Sequence, residues 1–381
     1  MDFMTSFLGF GESFFSYAIP FLFVLTVVVF FHELGHFWVA RRCGVKIDAF
    51  SIGFGPELVG FNDRLGTRWK LCAIPLGGYV RFHGDESAAS TPDIKVLSKM
   101  DEAEKRTAFF HQPVRNRAAI VAAGPIANFI LAVVIFSAIF MVYGRQVTTP
   151  RVDSIQPASA AAEAGLQAGD LVLSIDGRKI ENFADMQRIV SASPGTPLRI
   201  VVQRENREIS VTATPRLQEI KDNFGNVHRV GLLGISRSTT REEVVTERYG
   251  PVDALRLGVA ETYFVVERTL SYVGGMITGR EATDQLGGPI RIAQISGQVA
   301  SVSFAALLHL TAVLSVSIGL LNLFPVPLLD GGHLVFYAIE AIRGKPLSER
   351  AQEYGFRVGL ALVLMLMLFA TWNDIMHLTA L

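Results

Sequence analysis

The run PFLFVLTVVVFFHELGHFWVA, residues 20–40, embeds His32-Glu33-Leu34-Gly35-His36 in an otherwise apolar stretch. About 20 such residues are what a helix needs to cross hydrocarbon, and there the helix must satisfy every backbone polar group internally. On a helix His32 and His36 are i and i+4, so the two imidazoles stand on one face and can share one tetrahedral zinc. Glu33 falls beside them, where it can take a proton from an activated water instead of binding the metal. Ionisable side chains at membrane depth are costly and are retained where they act.

Composition agrees with an integral membrane protein: half of the 381 residues are hydrophobic and only 18% are charged. The 35 basic and 35 acidic residues cancel, so nothing points to a nucleic-acid partner. Cys43 and Cys72 are too few and too far apart for a disulfide framework or a Cys-x-x-Cys metal site. Four stretches are expected to span: 15–39, 118–143, 304–324 and 358–372, the last short for a full crossing. The first is not expected to be a cleaved signal, because Asp2 and Glu12 stand where lysines would be. Arg41, Arg42 and Lys46 follow the first span, Arg115 and Arg117 precede the second, and Arg343, Lys345, Arg350 and Arg357 lie between the third and fourth. The positive-inside rule makes these loops cytoplasmic and the segment between spans two and three external.

Two histidines leave a zinc site unfinished, since catalytic sites commonly use three protein ligands and a water. The third donor is sought in Asn322-Leu-Phe-Pro325-Val-Pro327-Leu-Leu-Asp330-Gly-Gly-His333, where prolines and glycines break the third span. Non-helical backbone at this depth survives only where protein or a water-filled cavity shelters it. Asp330 is the leading candidate, His333 its rival, and a helix-capping aspartate the structural alternative.

Together, HELGH in the first span, the NLFPVPLLDGGH segment in the third and a soluble insertion between them resemble the site-2 protease family of intramembrane zinc metalloproteases. Within it, the similarity is to the bacterial branch that includes the regulator of sigma-E protease. The resemblance implies that His32, His36 and Asp330 hold Zn2+, that Glu33 is the general base, and that Asn322, Pro325 and Pro327 line the substrate cleft. Ser317 stands where some members carry a second asparagine. It also implies a multi-pass bacterial inner-membrane protein with its insertion on the periplasmic side, acting on single-span membrane proteins.

Between spans one and two, Val45 to Pro56 and Thr67 to Val80 alternate apolar and polar residues between glycines and prolines, which reads as short strands. This part is similar to the family's membrane-associated β-loop, with Gly53 and Gly55 as its Gly-x-Gly; a strand edge there can pair with an extended substrate. Residues 87–105 read as a flexible polar loop. Gly124-Pro125-Ile126-Ala127-Asn128 interrupts the second span with small and polar residues suited to close helix contact, and Asn128 is a candidate to support the site from behind.

The insertion, about 147–237, has the composition of a soluble domain. Strands are expected at 151–155, 171–175, 198–203 and 209–213, with turns at Asp176-Gly177 and Glu205-Asn206 and a helix carrying Phe183, Met186, Ile189 and Val190. The order resembles a circularly permuted PDZ domain, with 231–235 as a candidate loop for a peptide C-terminus, although a plain strand turn explains it as well. From 250 to 288 an amphipathic helix is expected along the outer membrane surface, ended by Gly287-Gly288-Pro289.

The resulting fold class is a membrane α-helical core of four spans with a membrane-associated β-loop and an external PDZ-like α+β domain. Its segments are 1–40, 41–117, 118–143, 147–240, 241–303 and 304–381. The function expected is hydrolysis of peptide bonds in or near a substrate's transmembrane segment. A membrane PDZ scaffold with a structural metal, or an ion transporter using Asp330, are the alternatives; Glu33 argues against the first and the lack of a further polar relay against the second.

Overall fold

The computed structural model describes residues 2–85, 100–221, 227–236, 245–279 and 287–379. Helix α1 runs Asp2–Arg42 and α2 runs Val114–Val142. Each contains one proline, Pro20 and Pro125, without breaking. Helices α3 (Pro251–Ile277), α4 (Pro289–Val302), α5 (Phe304–Asn322), α6 (Asp330–Arg343) and α7 (Glu349–Thr379) follow the insertion. Among the described residues, four segments are long and apolar enough to cross a membrane: Phe15–Arg42, Val114–Val142, Phe304–Asn322 and Arg350–Met376. The fourth is thus longer than the sequence suggested, because Arg350, Glu353 and Arg357 continue the helix before its apolar part begins. Large apolar side chains such as Trp38, Ile130, Val134, Leu366 and Leu368 are left exposed on these helices. That is the expected surface for a protein whose solvent there is lipid.

The chain divides into two units, residues 1–139 with 251–375, and residues 140–250 with 376–381. In the first, small residues bring the helices together. A Cβ on Gly35 would collide with the Ala123 carbonyl, and one on Gly319 would come within 3.1 Å of both the Asn128 Cβ and the Pro125 carbonyl oxygen. Where lipid tails are as apolar as leucine, packing of this kind does what apolar burial does in water.

Strands β1 (Ile47–Asn62) and β2 (Arg68–Phe82) form an antiparallel hairpin with repeated irregularities in register. It is held to α1 by aromatic contact: Phe37 meets Trp69 with ring centroids 4.9 Å apart, and Phe50 stacks on Trp69 at 4.3 Å. At its tip Asp63 accepts hydrogen bonds from the Leu65 and Thr67 amides, Trp69 Nε1 and the Arg41 guanidinium. Burial pushes the Asp63 carboxyl up, but these donors outweigh it and hold it below its ordinary value.

Residues 86–99 of the expected polar loop lie outside the described residues, while Glu102–Thr107 is a short helix with an Asp101–Glu104 capping box. Helix α3 packs on the protein through its small and polar face, not through its large apolar residues. Ala254, Gly258, Glu261, Thr262 and Val265 are buried, and Gly258 sits against Ser137 of α2, whereas Leu255, Val259, Tyr263 and Leu270 point outward. The small residues make the helix contact and the large apolar ones are left for the lipid. Pro289 does not simply end a helix: it opens α4, whose first amides at Gly288, Ile290 and Arg291 donate to the Asp374 carboxylate of α7. The sequence predicts no separate helix at 289–302.

The second unit is built on a four-stranded antiparallel sheet of β3 (Leu171–Ile175), β4 (Arg178–Lys179), β5 (Leu198–Arg204) and β6 (Arg207–Ala213), in the order β4-β3-β5-β6. The helix Phe183–Ser191, capped by Asn182, contributes Met186 and Val190 to the core. Val152, Val172, Ile175, Ile200 and Val202 complete that core. Ser154–Ile155 pairs with Ile235–Ser236, and Gly231 pairs with Leu217 while packing against the Val190 carbonyl and Pro194. This α+β unit lies in the chain between α2 and α3, over the insertion whose sequence resembles a PDZ domain, and is called the PDZ-like unit on that ground.

Candidate metal centre

Two turns of α1 and the first residue of α6 meet. His32 Nε2 lies 3.2 Å from His36 Nε2 and 3.2 Å from Asp330 Oδ2, and His36 Nε2 lies 3.6 Å from the same oxygen. A tetrahedral ion with ligand bonds of about 2.0–2.1 Å sets its donors about 3.3 Å apart, so the triangle is the size zinc requires. Asp330 Oδ2 is buried and has no hydrogen-bond partner, an expensive state for a carboxylate unless a cation satisfies it. Among the described residues this is the group of three donors able to hold a metal; His333, the rival third donor, is not in it.

The outer nitrogens of both imidazoles are also fixed. His36 Nδ1 donates to the Ile120 carbonyl at 2.9 Å, leaving Nε2 as the lone-pair nitrogen. His32 Nδ1 is 3.3 Å from the Asn128 side-chain amide, while Asn128 Oδ1 is otherwise buried without a partner. Turning that amide so that Oδ1 accepts from His32 Nδ1–H satisfies both groups and again frees Nε2 for the metal. The backbone at Asn128 is in turn held by Ser315, whose hydroxyl donates to the Asn128 main-chain carbonyl at 2.8 Å. Gly124 stands one turn away, and a Cβ on it would run into both imidazole rings.

Glu33 lines a cavity of about 310 Å³ that it shares with His32, His36 and Asp330. Its wall on the strand side is Gly77 to Val80 of β2, and the Val80 amide is hydrogen-bonded to the Glu33 carboxylate. Gly78 leaves room there: a Cβ would stand 2.9 Å from Val29 and 3.2 Å from Glu33 Cγ. The sequence alone assigns Gly77 and Gly78 no role at the site; their signal is the position directly before Tyr79-Val80 in a strand following the metal helix.

Of the substrate candidates, Asn322 lines the cavity, at the C-terminal end of α5. Gly53, Gly55, Pro325 and Pro327 are not on its wall. Gly53 and Gly55 have positive φ and pack on Ile74 of β2, where they serve the irregular hairpin. Pro327 faces α7, its carbonyl meeting the position a Cβ on Gly359 would take. Asp330 itself is helical, the first residue of α6; the unwound part of the motif ends at Leu329. Ser317 bonds back to the Val313 carbonyl at 3.0 Å and is also off the cavity wall.

The profile of Peptidase family M50 matches residues 20–366. "Putative zinc metalloprotease Atu1380" of Agrobacterium fabrum is 52% identical over 359 residues, covering 94% of this chain and 95% of its own. "Putative zinc metalloprotease R01501" of Rhizobium meliloti is 51% identical, with 94% and 96% covered. "Metalloprotease MmpA" of Caulobacter vibrioides is 42% identical, with 93% and 94% covered. A solved PDZ domain of an SdrC-like protein from Listeria monocytogenes is 22% identical over 23% of this chain and 83% of its own, with a TM-score of 0.18. The chain belongs to peptidase family M50 and, with its four apolar helices, is a membrane-embedded metalloprotease.

Proposed function

We propose that this chain is an intramembrane zinc endopeptidase of the site-2 type, hydrolysing peptide bonds in or near the transmembrane segment of single-span membrane proteins. The observation that carries this is the convergence of His32, His36 and Asp330, with Glu33 in the same cavity, on helices made to lie in lipid. Zinc, when bound, supplies Lewis acidity to the scissile carbonyl and to the attacking water. Glu33 accepts the proton that water loses and delivers it to the departing amine, so that H2O is added across the C–N bond. Because a helix hides its carbonyls in its own hydrogen bonds, the substrate must unwind locally; the Gly77–Val80 stretch of β2 and Asn322 are placed to hold the freed backbone.

The substrate class that fits is an anti-sigma factor or signal-peptide remnant cut in regulated proteolysis. The same reading places the chain in a bacterial inner membrane, and the positive charges beside the spans support an orientation with the PDZ-like unit in the periplasm. There it acts as a filter against bulky external domains or captures a peptide C-terminus. The decisive experiment is Glu33→Gln in full-length protein, with cleavage of a membrane-embedded reporter and zinc content measured together. Cleavage is expected to fall at least about 10²–10⁴-fold while zinc stays near one per chain. Substantial residual cutting would remove Glu33 from the reaction.

A further inference from the structure

Helix α2 contributes two supports to the histidines, the Ile120 carbonyl and Asn128, while the third metal donor sits on α6. What sets these two helices relative to each other therefore sets the donor triangle. At the start of α2, one turn before Ile120, the Arg117 guanidinium is tied three ways. Its Nη2 donates to Glu340 Oε1 at 2.6 Å, its Nε donates to the Gln112 carbonyl at 3.0 Å, and its Cζ lies 4.9 Å from the centroid of the Tyr337 ring. Both charged side chains are nearly buried, 12% and 13% exposed.

Glu340 and Tyr337 both belong to α6, and Tyr337 lies seven residues after Asp330, hence on the same face within about 20°. Any rotation or slide of α6 that disturbs the Arg117 contacts moves the Asp330 carboxylate by a comparable amount. The nearest contacts of the buried Gly331 and Gly332 at the front of α6 are to the stretch that leads into it, at Leu323, Phe324, Val326 and Pro327, and so do not set its register against α2. The N-cap residue, Leu329, makes no side-chain cap, and Leu328 before it has φ +97°. A buried ion pair adds little stability over apolar packing, since desolvation offsets the attraction; its best-attested use is to hold a register.

We infer that Arg117 and Glu340, with Tyr337 beneath the guanidinium, are positioning residues that fix the register of α6 against α2 and so hold Asp330 at the two histidines. This rests on the reading of Asp330 as a metal ligand. The test uses full-length, zinc-loaded protein in lipid bilayers with Arg117→Gln, Glu340→Gln, the exchange Arg117→Glu with Glu340→Arg, and Asp330→Asn as reference. The readouts are the rate of zinc loss to a chelator, and kcat and KM on a membrane reporter. Each single variant should lose zinc about 10–100-fold faster, with kcat falling and KM little changed. The exchange variant should recover most of both.

Single variants that insert and unfold less readily than wild type or equally, yet keep wild-type zinc release and kcat, would overturn the inference, as would lower stability with unchanged zinc release. If the single variants do not accumulate, Arg117→Met with Glu340→Leu removes both buried charges; faster zinc loss there supports the register role and wild-type loss overturns it. Should Asp330→Asn retain zinc as tightly as wild type, it is the ligand assignment that fails, and the two failures are thereby told apart.

Discussion

The helix glycines of the membrane unit and the hairpin-turn glycine of the PDZ-like unit serve opposite purposes. In the PDZ-like unit, Gly177 is needed for its backbone: it sits at φ +78° in the turn after β3, and nothing lies within 4 Å of where a Cβ would be. In the membrane unit, Gly35, Gly124 and Gly258 have no such backbone demand and are needed for space, because another helix or a histidine ring occupies the place of a side chain. Buried apolar side chains follow the same division. Val172, Ile175, Ile200 and Val202 are at most 1% exposed, and each such burial is worth about 1.5–3 kcal/mol in water. In lipid that driving force is absent, so the spans rely on close contact and on polar groups that complete one another.

The largest expected effect tests the spatial role of glycine directly. Gly124→Ala drives a methyl group into the rings of His32 and His36. Zinc affinity should fall by more than the roughly 100-fold upper range for loss of an outer hydrogen-bond partner, and cleavage with it. Gly177→Ala, the same change where only the backbone objects, should cost about 1 kcal/mol and leave zinc content untouched. Equal zinc content in the two purified variants would erase the distinction between the units.

A smaller effect is expected at Asn128. Asn128→Ala keeps all three donors but removes the partner of His32 Nδ1, and zinc affinity should drop about 10–100-fold, measured by chelator competition. Asn128→Asp, which can accept from the same nitrogen, should recover part of it. An alanine variant as tight as wild type would mean that helix packing alone orients the ring.

The smallest effect on the metal centre, none, is expected from the buried Asp170–Arg204 ion pair of the PDZ-like unit, whose loss should be felt as local stability alone. Asp170 is fully buried and accepts from Arg204 Nε and Nη2, both at 2.7 Å, and from the Gln167 amide. Burial pushes its carboxyl up, but the Arg204 hydrogen bonds and the Gln167 amide more than offset this and hold it below the usual range. With the folded value depressed, the stabilisation is complete above the unfolded value of about 3.9 and is lost as pH falls through the folded one. Asp170→Asn should therefore lose about 1.5–3 kcal/mol of local stability at neutral pH and converge with wild type in acid. Hydrogen exchange of residues 150–213 in the intact protein, followed against pH, is the measurement; zinc binding should not respond.

Local chemistry made much of this protein legible. The spacing of His32 and His36, with Glu33 between them, needs only the geometry of one helix. The spans follow from apolar length. In the PDZ-like unit the turns at Asp176-Gly177 and Glu205-Asn206 appear where expected, each with positive φ, because a two-residue hairpin demands that conformation from its own residues. β3 and the helix Phe183–Ser191 follow in the same way from period-2 and period-3.6 patterns.

What the tertiary structure decided are the relations between segments far apart in the chain. Asp330 could be named as a donor, but its meeting with residues 294 and 298 positions earlier, and the exclusion of His333, depend on how α6 starts and how it lies on α2. Which glycines face the cavity depended on strand register, so Gly77 and Gly78 line it while Gly53 and Gly55 do not. The small-residue face by which α3 meets α2 and the separate helix α4 were hidden for a related reason. Periodicity records which residues share a face, but whether that face meets protein or lipid is settled only by the neighbouring helices.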